Sequence, residues 1–577
     1  MSPTISGLCS TLTYYWRPLA SPFTFLPTRL RGLGAFLAVC SVLATFAFFN
    51  FLPYDAIDDR IACSLHDEIF RRPSPSLVGF HSREDGGLSL DEVMRMIEST
   101  AGLFARDYSL GLGWNNMRYI IESAALQAKI LNRTLVVPSF IYARSCEHEM
   151  SICGDYFDMV NRNDAIGSSE WRNLPPVQQM AFRIPISTML NITLLRQTQP
   201  VILLSDYLRL HGLTPEIEQS NGVWHRELYH SRTNIMTGKK PTLFVIKNKW
   251  YDPSGTLRVD VLPHAIRERG IWTLGVGDDV TGPIGRWKET RDDSVDVVAK
   301  CLDSAARDRG RGWLEWNEAR RAVLGCEPSI VLVEDGNLSD RTLERFVMNN
   351  GWEVVHTYRG LNNHEFAKAV VEPMRTVAPR SMLRSFKDEY GHITDDVLII
   401  EGEIHLERKP GSLLFTTSRA RDAYTSMVLD HVRPPDSVYA LAEVLDARMR
   451  DVNEGRVWMG AHMRRGDFLR IGWAPSSIEH HVQRVKEHLD SGRKTLNDLI
   501  RGGSDLLQMY EIPIIDTESS IPAPAQSPRE NDRRALVEQA LLARAGFVYG
   551  HGRSSFAGGM VNMRARAGKD VRTVDLD

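Results

Sequence analysis

The sequence predicts an α/β protein of two large domains with appendages, preceded by one N-terminal transmembrane helix, and three observations lead there. A chain of 577 residues exceeds what a single hydrophobic core serves. Short apolar runs of strand composition alternate with segments of helical period, the pattern of parallel sheets covered by helices. Three stretches rich in glycine, asparagine, arginine or serine stand where strands end or helices begin, places suited to holding an anion. Hydrophobic content of 43% and charged content of 24% are ordinary for a globular protein. The net charge of -3 gives no reason to expect nucleic acid as a partner.

The membrane helix comes first. Residues 32–54 carry no charge, and the apolar run within them, with its flanks, is long enough to cross a hydrocarbon layer of about 30 Å. Arg17, Arg29 and Arg31 precede it and Asp55, Asp58 and Asp59 follow, which puts the N-terminus in the cytosol. A cleaved signal peptide and a buried core helix are the competing readings. The run is longer than a signal h-region and lies behind about thirty residues, which favours an uncleaved anchor. Residues 1–31 are then a cytosolic tail and 32–54 the anchor of a single-pass type II protein. Residues 55–95, with Pro, Ser, Arg and Asp and weak periodicity, form a stem.

The chain beyond would lie in the lumen of the ER or Golgi. Asn132, Asn191 and Asn337 begin N-x-S/T acceptor sequences there. Of the seven cysteines, Cys63, Cys146, Cys153, Cys301 and Cys326 follow the anchor. Cys146 and Cys153 could close a short loop, and reduced, buried thiols fit equally well. No Cys/His grouping has zinc-finger spacing, and no metal is assigned.

Gly111-Leu112-Gly113-Trp114-Asn115-Asn116-Met117-Arg118 runs directly into a helical pattern in which Met117, Ile120, Ile121, Ala124, Ala125 and Ala128 share a face. A glycine turn capped by asparagines thus opens an amphipathic helix. Thr134-Leu135-Val136-Val137 follows as a strand, completing the first unit of a Rossmann-like layer. Gly111 and Gly113 let the backbone approach a ligand, and free N–H groups at the helix start can face an anion or a hydroxyl. Asn116 stands where the third glycine of G-x-G-x-x-G would be, which disfavours a dinucleotide. A helix capped for stability alone is the plainer reading.

Further along, strands are predicted at 200–204, 242–246, 330–333 and 397–400, and helices at 341–348 and 363–372, the second stopped by Pro373. The polar stretch 275–293 reads as a loop or insertion. Two helical patterns over 417–449, broken by Pro434 and Pro435, bridge the halves.

Val457-Trp458-Met459-Gly460-Ala461 is too short for a helix and reads as a buried strand. It ends in His462-Met463-Arg464-Arg465-Gly466-Asp467-Phe468, placing two guanidinium groups at a strand's C-terminal end. Open α/β sheets bind ligands there, and the planar fork of arginine matches phosphate oxygens in pairs. Surface ion pairs with Asp467 are the bland alternative. A helix is predicted at 477–489, a strand at 512–515, an exposed loop at 521–528 and a helix at 532–544. Residues 546–549 then form a short strand, Gly550-His551-Gly552 a turn, and Ser554 and Ser555 open a helix whose unpaired N–H groups, with the hydroxyls, suit a phosphate. Plain capping is the alternative. Asp575-Leu576-Asp577 reads as a solvated tail.

Taken together, these stretches give a chain that resembles the protein O-fucosyltransferase-like family of GDP-fucose-dependent glycosyltransferases. The resemblance is carried by Gly111-Leu112-Gly113-Trp114-Asn115-Asn116 and by Leu131-Asn132-Arg133-Thr134-Leu135-Val136-Val137-Pro138. It is carried further by His462-Met463-Arg464-Arg465-Gly466-Asp467, which looks like the family's H-L-R-R-x-D segment, and by Ser554-Ser555-Phe556-Ala557. It implies a GT-B-like fold of two Rossmann-like domains facing a cleft: 96–433 on the acceptor side, with linker helices, and 434–577 on the GDP-sugar side. It implies that Arg464 holds the β-phosphate, that Ser554, Ser555 and Phe556 line the GDP site with His462, Arg465 and Asp467 beside them, and that Asn115 reaches toward sugar and acceptor. GDP-fucose would be the donor, a protein or glycan hydroxyl the acceptor, with inversion at the sugar carbon and no metal or other cofactor.

There are two departures from the family. Leu112 stands where some members place a glutamate as general base, and Ile514-Ile515-Asp516-Thr517-Glu518 matches the family's T-D-E strand end only roughly. A catalytically silent GDP-sugar or glycan-binding protein on the same fold is one alternative, on account of Leu112. A GT-B enzyme using another nucleotide sugar is the other.

Overall fold

A computed structural model describes residues 87–108, 113–143, 159–161, 180–218, 229–246, 257–262, 266, 270–274, 285–289, 297–326, 339–359, 369–401, 414–464, 468–469, 472–475, 477–501 and 530–577. All fall within one compact unit, His81–Asp577. The expected anchor, Cys63, Cys146, Cys153, Asn337, the strands expected at 330–333 and 512–515 and the loop at 521–528 lie outside the described residues. Among those described, no helix is long and apolar enough to cross a membrane.

The protein is a mixed α/β structure with parallel sheets. Strands β1 (Leu103–Arg106), β2 (Thr134–Val137), β3 (Val201–Leu203), β4 (Leu243–Ile246) and β5 (Val397–Ile400) form a parallel sheet of order β3-β2-β1-β5-β4. Successive side chains alternate between its faces. Phe104, Leu135, Val137, Val201, Leu203, Leu398 and Ile400 enter one core, and Leu103, Ala105, Val136, Ile202, Val397 and Ile399 the other. Burial on both sides is why these strands read as unbroken Val/Ile/Leu runs. Central β1 has β2 on one side and β5 on the other, so its carboxyl end is a topological switch point, where open α/β sheets bind ligands.

Helix α1 (Leu90–Glu98) packs Val93 against the second core. Its start is a capping box, in which Ser89 Oγ accepts from Glu92 N at 3.3 Å and Ser89 N donates to Glu92 Oε2 at 2.9 Å. Residues 90–95, expected in the stem, are therefore part of the folded unit. Helix α2 (Trp114–Ile130) differs from its expectation twice. Its N-cap is Gly113, so Asn115 and Asn116 lie inside the first turn rather than capping it. It is also buried nearly all round, not amphipathic, because the sheet covers one side and helices of the second half the other. Asn132, at φ 53°, closes it in the left-handed conformation that asparagine tolerates.

Between β4 and β5, helices Val297–Asp308, Trp316–Cys326 and Asp340–Asn349 pack beside the antiparallel strands Trp352–Tyr358 and Pro373–Pro379 around their own core. A Cys301–Cys326 disulfide joins the first two helices, the one cysteine pairing seen among the described residues. Pro373 opens a strand instead of stopping a helix, and residues 369–372 of the helix expected at 363–372 are not helical. The expected loop at 275–293 contains a strand, Gly285–Glu289, paired antiparallel with Gly270–Leu274.

Helices α3 (Ser418–Ser426), continued by a wider turn at Met427–His431, and α4 (Asp436–Val452) flank Pro434-Pro435 as expected. They lead into a second parallel sheet, β6 (Met459–Ala461), β7 (Phe547–Gly550) and β8 (Val574–Leu576), in the order β6-β7-β8. It is covered by α5 (Ile478–Arg501), which runs a further twelve residues beyond its predicted end, α6 (Glu530–Arg544) and α7 (Ser555–Arg566). Asp575-Leu576-Asp577 is no solvated tail: Val574 and Leu576 pack inward and the segment is the third strand.

Buried Arg564 ties α7 to this sheet. Its guanidinium donates to Ala545 O at 2.7 Å, Gly546 O at 3.2 Å, Leu542 O at 3.3 Å and Thr573 Oγ1 at 2.6 Å. Burial lowers its pKa to about 10.

Candidate active site

The site is built at the carboxyl ends of β6 and β7. Trp458 anchors the approach to β6: it is buried, and its Nε1 donates to Asp446 Oδ1 of α4 at 2.8 Å. Ala461 pairs with Tyr549, and His462 N donates to Tyr549 O at 2.9 Å. The chain then leaves the sheet and carries Arg464 over the ring of Phe468, 5.3 Å from its centroid. Phe468 is itself wedged edge-on against Trp473 and His551. His462, Arg464, Trp473, His481, Arg484 and Asp577 line one crevice.

His462 is stacked on Phe556 with ring centroids 3.9 Å apart. Burial, and secondarily the Arg464 charge, push its pKa down to about 4, so the ring is neutral at neutral pH. Its Nε2 is buried without a hydrogen-bond partner.

Helix α7 begins beside it. Ser554 occupies the N-cap position with extended backbone, but its side chain makes no capping bond. The residue is 2% exposed and its Oγ has no partner. A capping serine normally accepts from the second or third N–H of its helix. Here the hydroxyl and the first-turn N–H groups are left for something else, at the positive end of the helix dipole.

The asparagine turn meets this region. Asn115 Oδ1 accepts from Gln539 Nε2 at 3.2 Å, and the same nitrogen donates to Phe556 O at 2.6 Å. Tyr119 OH of α2 donates to Ser555 O at 3.1 Å. The Gln539 amide lies so close to α7 that a side chain at Gly559 would collide with it. Asn115, His462, Arg464, Ser554, Ser555, Phe556 and the helix start at Gly113 are thus gathered into one neighbourhood. Gly111, Leu112, Arg465, Asp467, Asp516 and Glu518 lie outside the described residues.

Sequence reasoning missed several members. Gln539 is 1% exposed, and the signal was a polar residue within the apolar stripe of Leu536, Ala540 and Leu541. Asp577 accepts from Tyr549 OH at 2.5 Å and pairs with Arg484; the alternation of Val574 and Leu576 could have exposed its strand. Trp114, in the first turn of α2, has its indole N–H buried without a partner. Among the described residues, no grouping of His, Cys, Asp or Glu suits a metal ion.

The fold and site define a mixed α/β protein with an anion-suited crevice at the carboxyl end of a parallel sheet. No protein-family model matches the chain, and no curated protein matches it. Among solved structures it is similar to crystal structures of POFUT1. Two are in complex with GDP-fucose, at 10% and 11% identity and TM-scores of 0.29 and 0.30, covering 83% and 82% of this chain and 98% of theirs. One is in complex with GDP, at 10% identity, a TM-score of 0.29, and 82% and 98% coverage.

Proposed function

We propose that this protein is an inverting glycosyltransferase of GT-B type that transfers fucose from GDP-fucose to a protein or glycan hydroxyl. The observation that carries the reading is the stack of His462 on Phe556, which sets the end of β6, with Arg464 two residues on, beside the start of α7, where Ser554 Oγ is buried and unbonded. Guanidinium, hydroxyl and free N–H groups together suit the two phosphates of a nucleotide diphosphate. As the bond from sugar C1 to the diphosphate breaks, negative charge grows on the leaving oxygen, and these fixed groups stabilise it without rearranging. The acceptor hydroxyl attacks C1 from the opposite face, which inverts that carbon. The same positive groups take the part that a metal plays in other diphosphate sites, so none is required. Phe556, stacked with neutral His462, gives a flat apolar wall for the nucleotide.

We place the catalytic region in the lumen of the ER or Golgi, anchored by residues 32–54. The Cys301–Cys326 disulfide supports an oxidising compartment.

The test uses the full chain with GDP-fucose, GDP-mannose and UDP-sugars, reading binding by calorimetry and turnover by donor hydrolysis. Selective binding and cleavage of GDP-fucose, with GDP affinity falling at least about tenfold in Arg464→Ala, is the expected result. Unchanged GDP affinity in that variant overturns the reading. A second reading, a silent GDP-sugar-binding protein, is favoured by Leu112 and by the engagement of Asn115 Oδ1 with Gln539. Tight donor binding without turnover on any acceptor would establish it instead.

A further inference from the structure

One turn further along α7, the two halves of the unit enclose a second cavity, of about 350 Å³ against about 260 Å³ for the crevice at Arg464. Arg118 of α2, Arg433 of the linker, Gln539 of α6, and Asn562 and Arg566 of α7 supply its polar lining. Val428, Leu429, Val432 and Leu536 supply an apolar remainder.

Three of its polar residues are buried, Arg433 is half-buried and Arg566 exposed, and the first four are incompletely bonded. Arg118, Gln539 and Asn562 are 5%, 1% and 5% exposed. Arg118 Nη1 bonds to Glu122 and the guanidinium lies over the Tyr119 ring, 4.8 Å from its centroid, while Nε and Nη2, the two N–H groups that project side by side from one edge of a guanidinium, have no partner in hydrogen-bonding geometry. Asn562 Oδ1 accepts from Val370 N at 3.0 Å, leaving Nδ2 unbonded. Arg433 Nε is likewise unbonded, while its Nη2 is 3.9 Å from Asp436. Both donor bonds of Gln539 are used, and its Oε1 has no donor. Buried polar groups in folded proteins are almost always satisfied by protein or water, so five orphan atoms on the residues that line one space point to an occupant.

The orphans also define its chemistry. Four N–H groups, two in the fork that matches a pair of oxygens, ask for an oxyanion. One lone acceptor asks for a hydroxyl on that same ligand. Nearby carboxylates offset the arginines only in part. Glu122 faces Arg118, but burial pushes its carboxyl up to about 7, Asp436 lies across from Arg433, and Asp430 is 3.6 Å from Arg566.

We propose that this cavity binds a phosphate group that retains one hydroxyl: its oxygens accept from Arg118, Arg433 and Asn562, and its O–H donates to Gln539. The site is separate from the crevice at Arg464, but Gln539 belongs to both surroundings. Phosphate there would fix the amide that holds Asn115 and the Phe556 carbonyl, joining the two halves at the start of α7.

The test is saturable stabilisation of the full chain by inorganic phosphate, measured by thermal unfolding against sulfate and chloride at equal ionic strength. Three variants accompany the wild type. Asn562→Asp keeps the acceptor for Val370 N and replaces the unbonded donor by an oxygen. Arg433→Met keeps the stem over Tyr439 and removes a donor. Arg464→Ala removes the main cation of the other site. Phosphate should stabilise the wild type more than sulfate does, and a saturable phosphate effect should remain in Arg464→Ala. Its apparent affinity should fall at least about tenfold in Asn562→Asp and in Arg433→Met. No phosphate effect beyond that of chloride overturns the proposal and leaves water as the occupant. An effect lost in Arg464→Ala and kept in the other two overturns it as well, by moving phosphate to the crevice.

Discussion

Helices α2 and α7 open alike, each just past the carboxyl end of a strand in a parallel sheet and each buried on nearly every side. They differ in what their first turns leave unbonded. At α2 the cap is a glycine, the Asn115 oxygen is held by Gln539, and the orphan is the Trp114 indole N–H, a neutral donor. At α7 the orphan is a serine hydroxyl, and Arg464 and a neutral, stacked His462 stand at the neighbouring strand end. One helix start suits an anion and the other an uncharged oxygen, although burial and topology are the same. What separates them is which polar atoms the fold leaves over.

The contrast is sharpest when buried Arg564 and half-buried Arg464 are separated. Arg564→Met should leave several buried carbonyls without a donor and cost about 3–5 kcal/mol of stability, read as a lower denaturant midpoint. Arg464→Ala should leave stability within about 0.5 kcal/mol while transfer falls about 10²- to 10³-fold. Should Arg464→Ala unfold the protein instead, the charge at the end of β6 is structural and the contrast collapses.

His462 adds a pH signature to the α7 side. Its folded-state pKa lies below its ordinary value of 6.5, at about 4, so its contribution to stability is complete above 6.5 and lost as pH falls toward 4. The difference in unfolding free energy between wild type and His462→Leu should therefore change by at most about 3 kcal/mol across that window. Taking the difference matters because Glu122, raised by burial to about 7, works oppositely and loses stability as pH rises from about 4.5 to 7. A difference that stays flat with pH would show that His462 titrates normally.

The smallest effects test the helix starts themselves. Ser554→Ala should cost no stability, whereas loss of a working cap would cost about 0.5–2 kcal/mol; nucleotide affinity should fall several-fold. Trp114→Phe should likewise spare both stability and nucleotide affinity, and weaken the acceptor or sugar by about 1 kcal/mol, seen as a higher KM. Reversal of the two affinity results would exchange the roles assigned to α2 and α7.

Short apolar runs made strands such as 397–400 visible, and charge at a strand end made Arg464 visible, because both are properties of a few consecutive residues. Caps and edges were misread where the deciding partner was remote. Asn115 looked like a cap and is instead bonded to a glutamine 424 residues away in sequence. Pro373 looked like a helix stop, yet its strand exists because 352–358 pairs with it. Asp577 looked solvated until β8 joined β7.

The sequence by itself determined the α/β class, the strands buried on both faces and the residue types that can hold a phosphate. Tertiary structure decided which of those groups meet, which hydroxyl is spared from capping, and that Gln539 joins the two halves. Local pattern reports how much of a residue is buried, whereas hydrogen-bond satisfaction depends on atoms brought from elsewhere in the chain.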